Sequence, residues 1–238
     1  MIIEGEYTYA RFLDRPNRFL AKIELYSNEK VEYCHVPDPG RLKELLLPGV
    51  EVFVRKETRM NRKTKYSLIG VKAENSTWVN IDSQVSNKLF QSDMSKIKDF
   101  QNYKILKSEF SFGDSRIDFL LENLKENKQA LVEVKSVTLV EKNIAFFPDA
   151  PTRRGVKHLK ELEKAVQEKK YEAFIVFIVK RSDAKSFSPN WKRDRNFANE
   201  LVESSKGGVK IIAVRCAFSP EKKELRIMNK IPYVLNSS

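Results

Sequence analysis

The sequence predicts a mixed α/β (α+β) fold in two parts, a small β-barrel over residues 1–82 and a mixed-sheet α/β domain over residues 83–238. Two patterns and one asymmetry predict it. The first eighty residues alternate apolar and polar side chains in short runs broken by Pro/Gly turns, the signature of curved strands. Beyond them, strands come first and then alternate with helices, which implies a mixed sheet flanked by helices. Charge follows the same division: residues 1–82 carry 14 Lys/Arg against 12 Asp/Glu, whereas residues 83–238 carry 30 against 20.

Four strands are legible in the first part: "FLAKIELYS" (19–27), "KVEYCHV" (30–36), "VEVFVRKE" (50–57) and "YSLIGVKAE" (66–74). "PDPG" (37–40) and "LPG" (47–49) supply the turns, and "GRLKELL" reads as one short helix between the second and third strands. About five curved strands in eighty residues fit an oligonucleotide/oligosaccharide-binding (OB) barrel. Its last strands are joined through "RKETRMNRKTK" (55–65), six basic residues with one acid. As a hairpin tip this would hold Arg55, Lys56, Arg59, Arg62 and Lys63 toward a polyanion, or would simply be a solvated turn.

In the second part a helix begins after Asp82 or Ser83, followed by strands near 105–112, 116–122 and 130–137. A helix over 152–170, a strand over 172–180, a helix near 194–205 and a strand over 209–217 complete the domain. "AFIVFIV" (173–179) is far too short to span a bilayer and reads as a strand buried on both faces. The absence of a linker between the parts predicts that they pack together. Charges throughout the first twenty residues leave no signal-peptide hydrophobic region, and Cys34 and Cys216 form neither a metal-ligand spacing nor a disulfide framework, so the reading is cytoplasmic with no membrane partner. A net charge of +12, concentrated in the second part, suits a polyanion such as DNA, single-stranded or duplex, or RNA.

Three charged residues stand where these strands should be oily. In "ALVEVKSV" the side chains alternate, so Glu133 and Lys135 share a face, about 6.6 Å apart along the strand. Asp118 lies in "RIDFLLE" on the preceding strand, its predicted hairpin partner. Buried charges need a partner or a metal. Two neighbouring carboxylates suit Mg²⁺ or Mn²⁺, which is held by one or two carboxylates, water and substrate phosphate. A lysine beside them can orient or deprotonate the attacking water. Asp followed by Glu-X-Lys on the next strand resembles the PD-(D/E)XK (restriction-endonuclease-like) nucleases, although no Pro precedes Asp118. The expectation is a site with Asp118, Glu133 and Lys135 as catalytic residues and Asp118, Glu133 and Glu109 as metal ligands. An ion pair at a sheet edge is the alternative. Arg116 alternates with Asp118 and would meet phosphate.

"FPDAPTRRGVKHLKELEKAV" starts a helix with Thr152 as N-cap and an apolar stripe of Val156, Leu159, Leu162 and Val166. Arg153 and Arg154 then fall in the first turn, where the helix dipole repels cations. A nucleic-acid phosphate would satisfy both arginines and the free N–H groups, with Lys157 one turn on. His158 on the same helix reads as a hydrogen-bonded structural residue.

With these residues in place, the sequence resembles the sugar fermentation stimulation protein A (SfsA) family. "LKSEFSFGDSRIDFLLE", "VEVKSVTL" and "FFPDAPTRRGVKHLKEL" carry the resemblance in order and spacing, with "NRFLAKIEL", "CHVPDPGRL" and "GVKIIAVRCAFSPE" at either end. "PDPGR" stands where many members have Asn-Thr before the Gly, while Gly40 and Arg41 are kept. The resemblance implies an OB-like barrel fused to a nuclease-like domain, DNA binding, and a link to sugar (maltose) metabolism. It implies Asp118, Glu133, Lys135 and Glu109 as the site, with Arg41 among the residues that grip the strand. Two functions follow: a DNA-binding protein with a Mg²⁺-dependent phosphodiesterase site, or a non-catalytic DNA-binding regulator of sugar metabolism genes.

Overall fold

A computed structural model of the chain, described for residues 1–58 and 62–236, has the two predicted parts. Six strands build the first: β1 (Tyr7–Asn17), β2 (Leu20–Leu25), β3 (Val31–His35), β4 (Glu51–Lys56), β5 (Tyr66–Lys72) and β6 (Trp78–Asn80). Their order is β3-β2-β1-β4-β5-β6, and a parallel pairing of Cys34 and His35 with Tyr66 and Ser67 joins β3 to β5 and closes a five-stranded barrel. The alternation of the sequence predicts no strand at β1. Its pairing with β2 shifts register between Phe12 and Asp14 and again between Asp14 and Asn17, so the alternation that marks a strand is broken where the strand bends. "GRLKELL" is not a helix. Leu42 has a φ of 49°, which no helical residue adopts, and the segment forms turns that push Leu42, Leu45 and Leu46 into the barrel core.

The second part begins with α1 (Val85–Asp93) and two short 3₁₀ turns, followed by β7 (Tyr103–Phe112), β8 (Ser115–Asn123), β9 (Lys128–Val137), β10 (Val140–Glu141) and β11 (Ile144–Phe147). Then come α2 (Arg153–Gln167), β12 (Glu172–Val179), β13 (Ser186–Pro189), α3 (Arg195–Lys206), β14 (Lys210–Ser219) and β15 (Glu224–Ile231). The main sheet has the order β15-β14-β12-β9-β8-β7, with β9, β12 and β14 parallel and the outer strands antiparallel to their neighbours. Odd residues of β9 such as Leu131 and Val137 pack with Leu159, Leu162 and Leu201 of α2 and α3. Even residues such as Val132 and Val134 face Leu89 and Phe90 of α1. β12 is buried on both faces along its apolar run, as its sequence predicts. Among the described residues no helix is long and apolar enough to cross a membrane.

The two parts share a core. Phe53 and Ile69 of the barrel join the α1 side of the sheet together with Phe218 of β14. Gly70 makes that approach possible, because a Cβ there would stand 2.5 Å from Cε1 of Phe218. Gly70→Ala is therefore expected to cost about 1–3 kcal/mol in urea unfolding through overpacking. Unchanged stability would mean that the barrel does not seat on Phe218.

Candidate active site

The β8–β9 ladder runs from Asn123↔Lys128 to Phe119↔Val132 and stops there. Its next pair would set Asp118 opposite Glu133. Instead β9 continues beside β12 as far as Val137↔Val179, while β8 leaves it at the position of the two carboxylates. Asp118 stands in for the missing strand: Oδ2 accepts the Val134 N–H at 2.8 Å, and Oδ1 accepts the side-chain amide of Asn87 on α1 at 2.8 Å. A sequence that replaced Asp118 by an apolar residue would leave that backbone donor without an acceptor.

Glu133 is only 2% exposed. Its Oε1 accepts from Lys135 Nζ at 2.6 Å and from His158 Nδ1 on α2. His158 Nε2 in turn lies 3.3 Å from Arg154 Nε, which links Glu133 to the start of α2. The other oxygen, Oε2, is buried and has no hydrogen-bond partner among the described residues. Burial alone would push the Glu133 carboxyl up, but the His158 and Lys135 donors outweigh it and hold the group below the usual carboxylate range. Asp118 goes the other way. Its burial, reinforced by the Glu133 charge, raises its pKa in spite of the Val134 and Asn87 hydrogen bonds. Two carboxylates pushed apart in this way form a site that a cation would relieve.

Asp118 and Glu133 are the residues that could hold such a cation, with the unpartnered Oε2 as the free oxygen. Among the described residues no group of three His, Cys, Asp or Glu side chains is arranged to hold a metal. Two carboxylates completed by water and phosphate fit Mg²⁺ or Mn²⁺ rather than a closed all-protein cage. Glu109 does not join them. The pairs Ser108↔Phe119 and Phe110↔Ile117 bracket it opposite Asp118, but its φ of 53° turns it out of the ladder. Its carboxylate meets Arg116 Nη1 at 3.1 Å on the surface, so neither Glu109 nor Arg116 reaches the buried pair.

At the start of α2 the Thr152 hydroxyl accepts the Gly155 N–H at 3.0 Å, as an N-cap does. Arg153, Arg154 and Lys157 are exposed along the first turn, and Lys157 Nζ also donates to the Asp114 carbonyl at 2.6 Å. Asp149 does not pair with Arg153 or Arg154. Its Oδ2 takes the Arg41 N–H at 2.8 Å, which docks the barrel loop beside the α2 N-terminus. Arg15 braces that loop by donating to the carbonyls of Arg18, Asp38 and Gly40.

The basic run on the barrel is partly neutralised by its one acid: Arg55 and Arg62 both reach Glu57, at 3.0 and 2.8 Å, and Lys56 reaches Glu6 at 3.1 Å. Lys63 and Arg41 are exposed, and Arg59 lies outside the described residues. Of the barrel aromatics, Phe19 and Tyr33 are half exposed, whereas Phe12 and Phe53 are core. Sequence reasoning missed Asn87 and the contact of His158 with Glu133. A signal existed for His158, which lies one residue before Leu159 and four before Leu162, on the buried face of α2.

Family comparison covers nearly the whole chain. Residues 13–81 match the model described as the SfsA N-terminal OB domain, and residues 84–222 match that of the sugar fermentation stimulation protein RE domain. A sugar fermentation stimulation protein homolog of Desulfitobacterium hafniense is 46% identical over 222 residues, 92% of this chain and 94% of that one. One from Acetivibrio thermocellus is 42% identical over 238 residues, 99% and 100% of the two chains. Among solved structures, that of Pyrococcus furiosus SfsA in complex with Ca²⁺ superposes with a TM-score of 0.87 at 29% identity, covering 98% of both chains.

Proposed function

The chain belongs to the sugar fermentation stimulation protein (SfsA) family, and we propose that it is a DNA-binding protein whose second domain is a divalent-metal-dependent phosphodiesterase. One observation carries this reading: a buried carboxylate oxygen, Glu133 Oε2, stands without a partner next to a second carboxylate and a lysine. Leaving a buried acceptor unmet costs about 1–3 kcal/mol, and a cation would remove that cost. The Pyrococcus furiosus relative holds Ca²⁺, an ion that also takes oxygen ligands.

Asp118 and Glu133 would hold Mg²⁺ or Mn²⁺, which when bound supplies a Lewis acid and an acidified water. The chain's own groups do the rest. His158 fixes the rotamer of Glu133, and Asn87 that of Asp118. Lys135 stands where it can orient the attacking water and balance charge on the scissile phosphate. Arg153 and Arg154 lie about one helix turn before His158 and Lys157 directly precedes it, and all three would take flanking phosphates. Arg41, Lys63 and the half-exposed Phe19 and Tyr33 would extend the grip along the barrel.

The test is a cleavage assay on plasmid, linear and single-stranded DNA, and on RNA, with Mg²⁺, Mn²⁺ or EDTA. Absence of cutting under every condition would overturn the catalytic half. The non-catalytic regulator of sugar metabolism genes would then stand. One observation favours it: Lys135 and His158 both donate to Glu133 Oε1, so that oxygen is satisfied by the protein itself.

Binding gives an independent check. Arg153→Ala combined with Arg154→Ala is expected to lower the slope of log affinity against log salt by about 2, roughly one unit per lost phosphate contact. The melting temperature should hold, because both side chains are exposed and, among the described residues, only Arg154 makes a side-chain hydrogen bond, to His158. An unchanged slope would take the two arginines out of the interface.

A further inference from the structure

We propose that the turn formed by residues 190–194 is a stacking subsite for an unpaired nucleobase, with Trp191 as the platform. The inference rests on the nucleic-acid reading above and extends it to the form of the strand. The turn is fastened to the start of α2 from two sides. Asp194 Oδ2 accepts the Thr152 N–H at 2.7 Å, and Arg193 Nη1 donates to the Asp149 carbonyl at 3.0 Å. Since Asp149 also holds the Arg41 N–H, the turn adjoins both the barrel loop and the arginines of α2.

A cavity of about 400 Å³ opens at this turn, lined by Phe146, Pro189, Asn190, Trp191, Lys192 and Arg193 among others. It combines an aromatic and apolar wall with Lys192, which is exposed, and with Arg193. Arg193 lies 3.8 Å from Glu141 of the same lining, so Lys192 is the cation for a phosphate beside the base. Trp191 is partly exposed and lines this cavity, so an unpaired base can stack against its ring. Paired bases inside a duplex are already stacked and cannot enter, so the subsite selects single strands, frayed ends or flaps.

The experiment compares binding of labelled (dT)12 and of a 12-base-pair duplex to the parent, Trp191→Ala and Trp191→Phe proteins, without divalent metal. Trp191→Ala should weaken (dT)12 binding by about 5- to 150-fold, the range for one lost base stack, and leave the duplex within twofold. Trp191→Phe should recover most of the loss. A second measurement does not depend on the variants folding. The chain has 2 tryptophans, and Trp78 packs against Tyr9 in the barrel. In a Trp78→Phe protein, (dT)12 should quench the remaining emission. Equal losses on both probes, no loss on either, or no quenching while (dT)12 binds would overturn the subsite and leave the nucleic-acid reading intact. Failure of the parent to bind any nucleic acid would overturn both.

Discussion

Alanine at Asp118 or at Lys135 is expected to lower metal-dependent DNA cleavage by at least about 100-fold, the lower end of what a positioned acid–base group contributes. The two variants should differ in how they fail. Asp118→Ala removes one of the two carboxylates near the free Glu133 oxygen, so its metal affinity should fall with its activity. Lys135→Ala leaves both carboxylates in place, so it should still bind metal while cutting poorly. Acidity provides a further check. Burial and the Glu133 charge raise the Asp118 pKa, so its carboxyl keeps a proton to higher pH than an ordinary aspartate. A metal must displace that proton, and affinity should therefore begin to fall, on acidification, above the usual aspartate range. Calorimetric titration with Ca²⁺ or Mg²⁺ at several pH values reads this directly. Full cleavage by either variant would remove its residue from the mechanism.

The elements that build this site were legible because they obey simple periods. β8, β9 and β12 are long, regular and apolar, so a charge within them stands out, and α2 shows both a cap and a stripe. What was not legible depends on departures from those periods. β1 is bulged, and β6, β10 and β11 are two to four residues long, too short to show alternation. Glu109 sits at the predicted strand position, yet a single left-handed backbone angle sends its side chain to the surface. The basic run in 55–65 looked like a free cationic tip by count, whereas Glu57 collects two of its arginines. Composition counts charges and cannot show which of them a fold has already paired.

The largest stability effect is expected where the two domains meet around a charge that the sequence reading passed over. Lys180 follows directly after β12 and is fully buried, its Nζ donating to the Asp82 carbonyl at the end of the barrel segment at 2.9 Å. Asp38 of the barrel loop is also buried, close enough for the two charges to favour each other. Burial lowers the Lys180 pKa and raises that of Asp38, and each charge partly offsets the other's shift. Lys180→Ala removes the buried stem and the charge, and is expected to cost about 2–5 kcal/mol, as truncating a large core side chain does. Lys180→Met keeps the volume and isolates the charge effect, and its cost should depend on pH. An acid with a raised folded-state pKa loses stability as pH climbs from its unfolded pKa toward the folded one. Without Lys180 the Asp38 pKa rises further, so the loss should be small near pH 5 and larger near pH 8 in urea unfolding. An equal loss at both would mean that Asp38 does not answer to Lys180, and that the lysine holds the domains together through the Asp82 carbonyl alone.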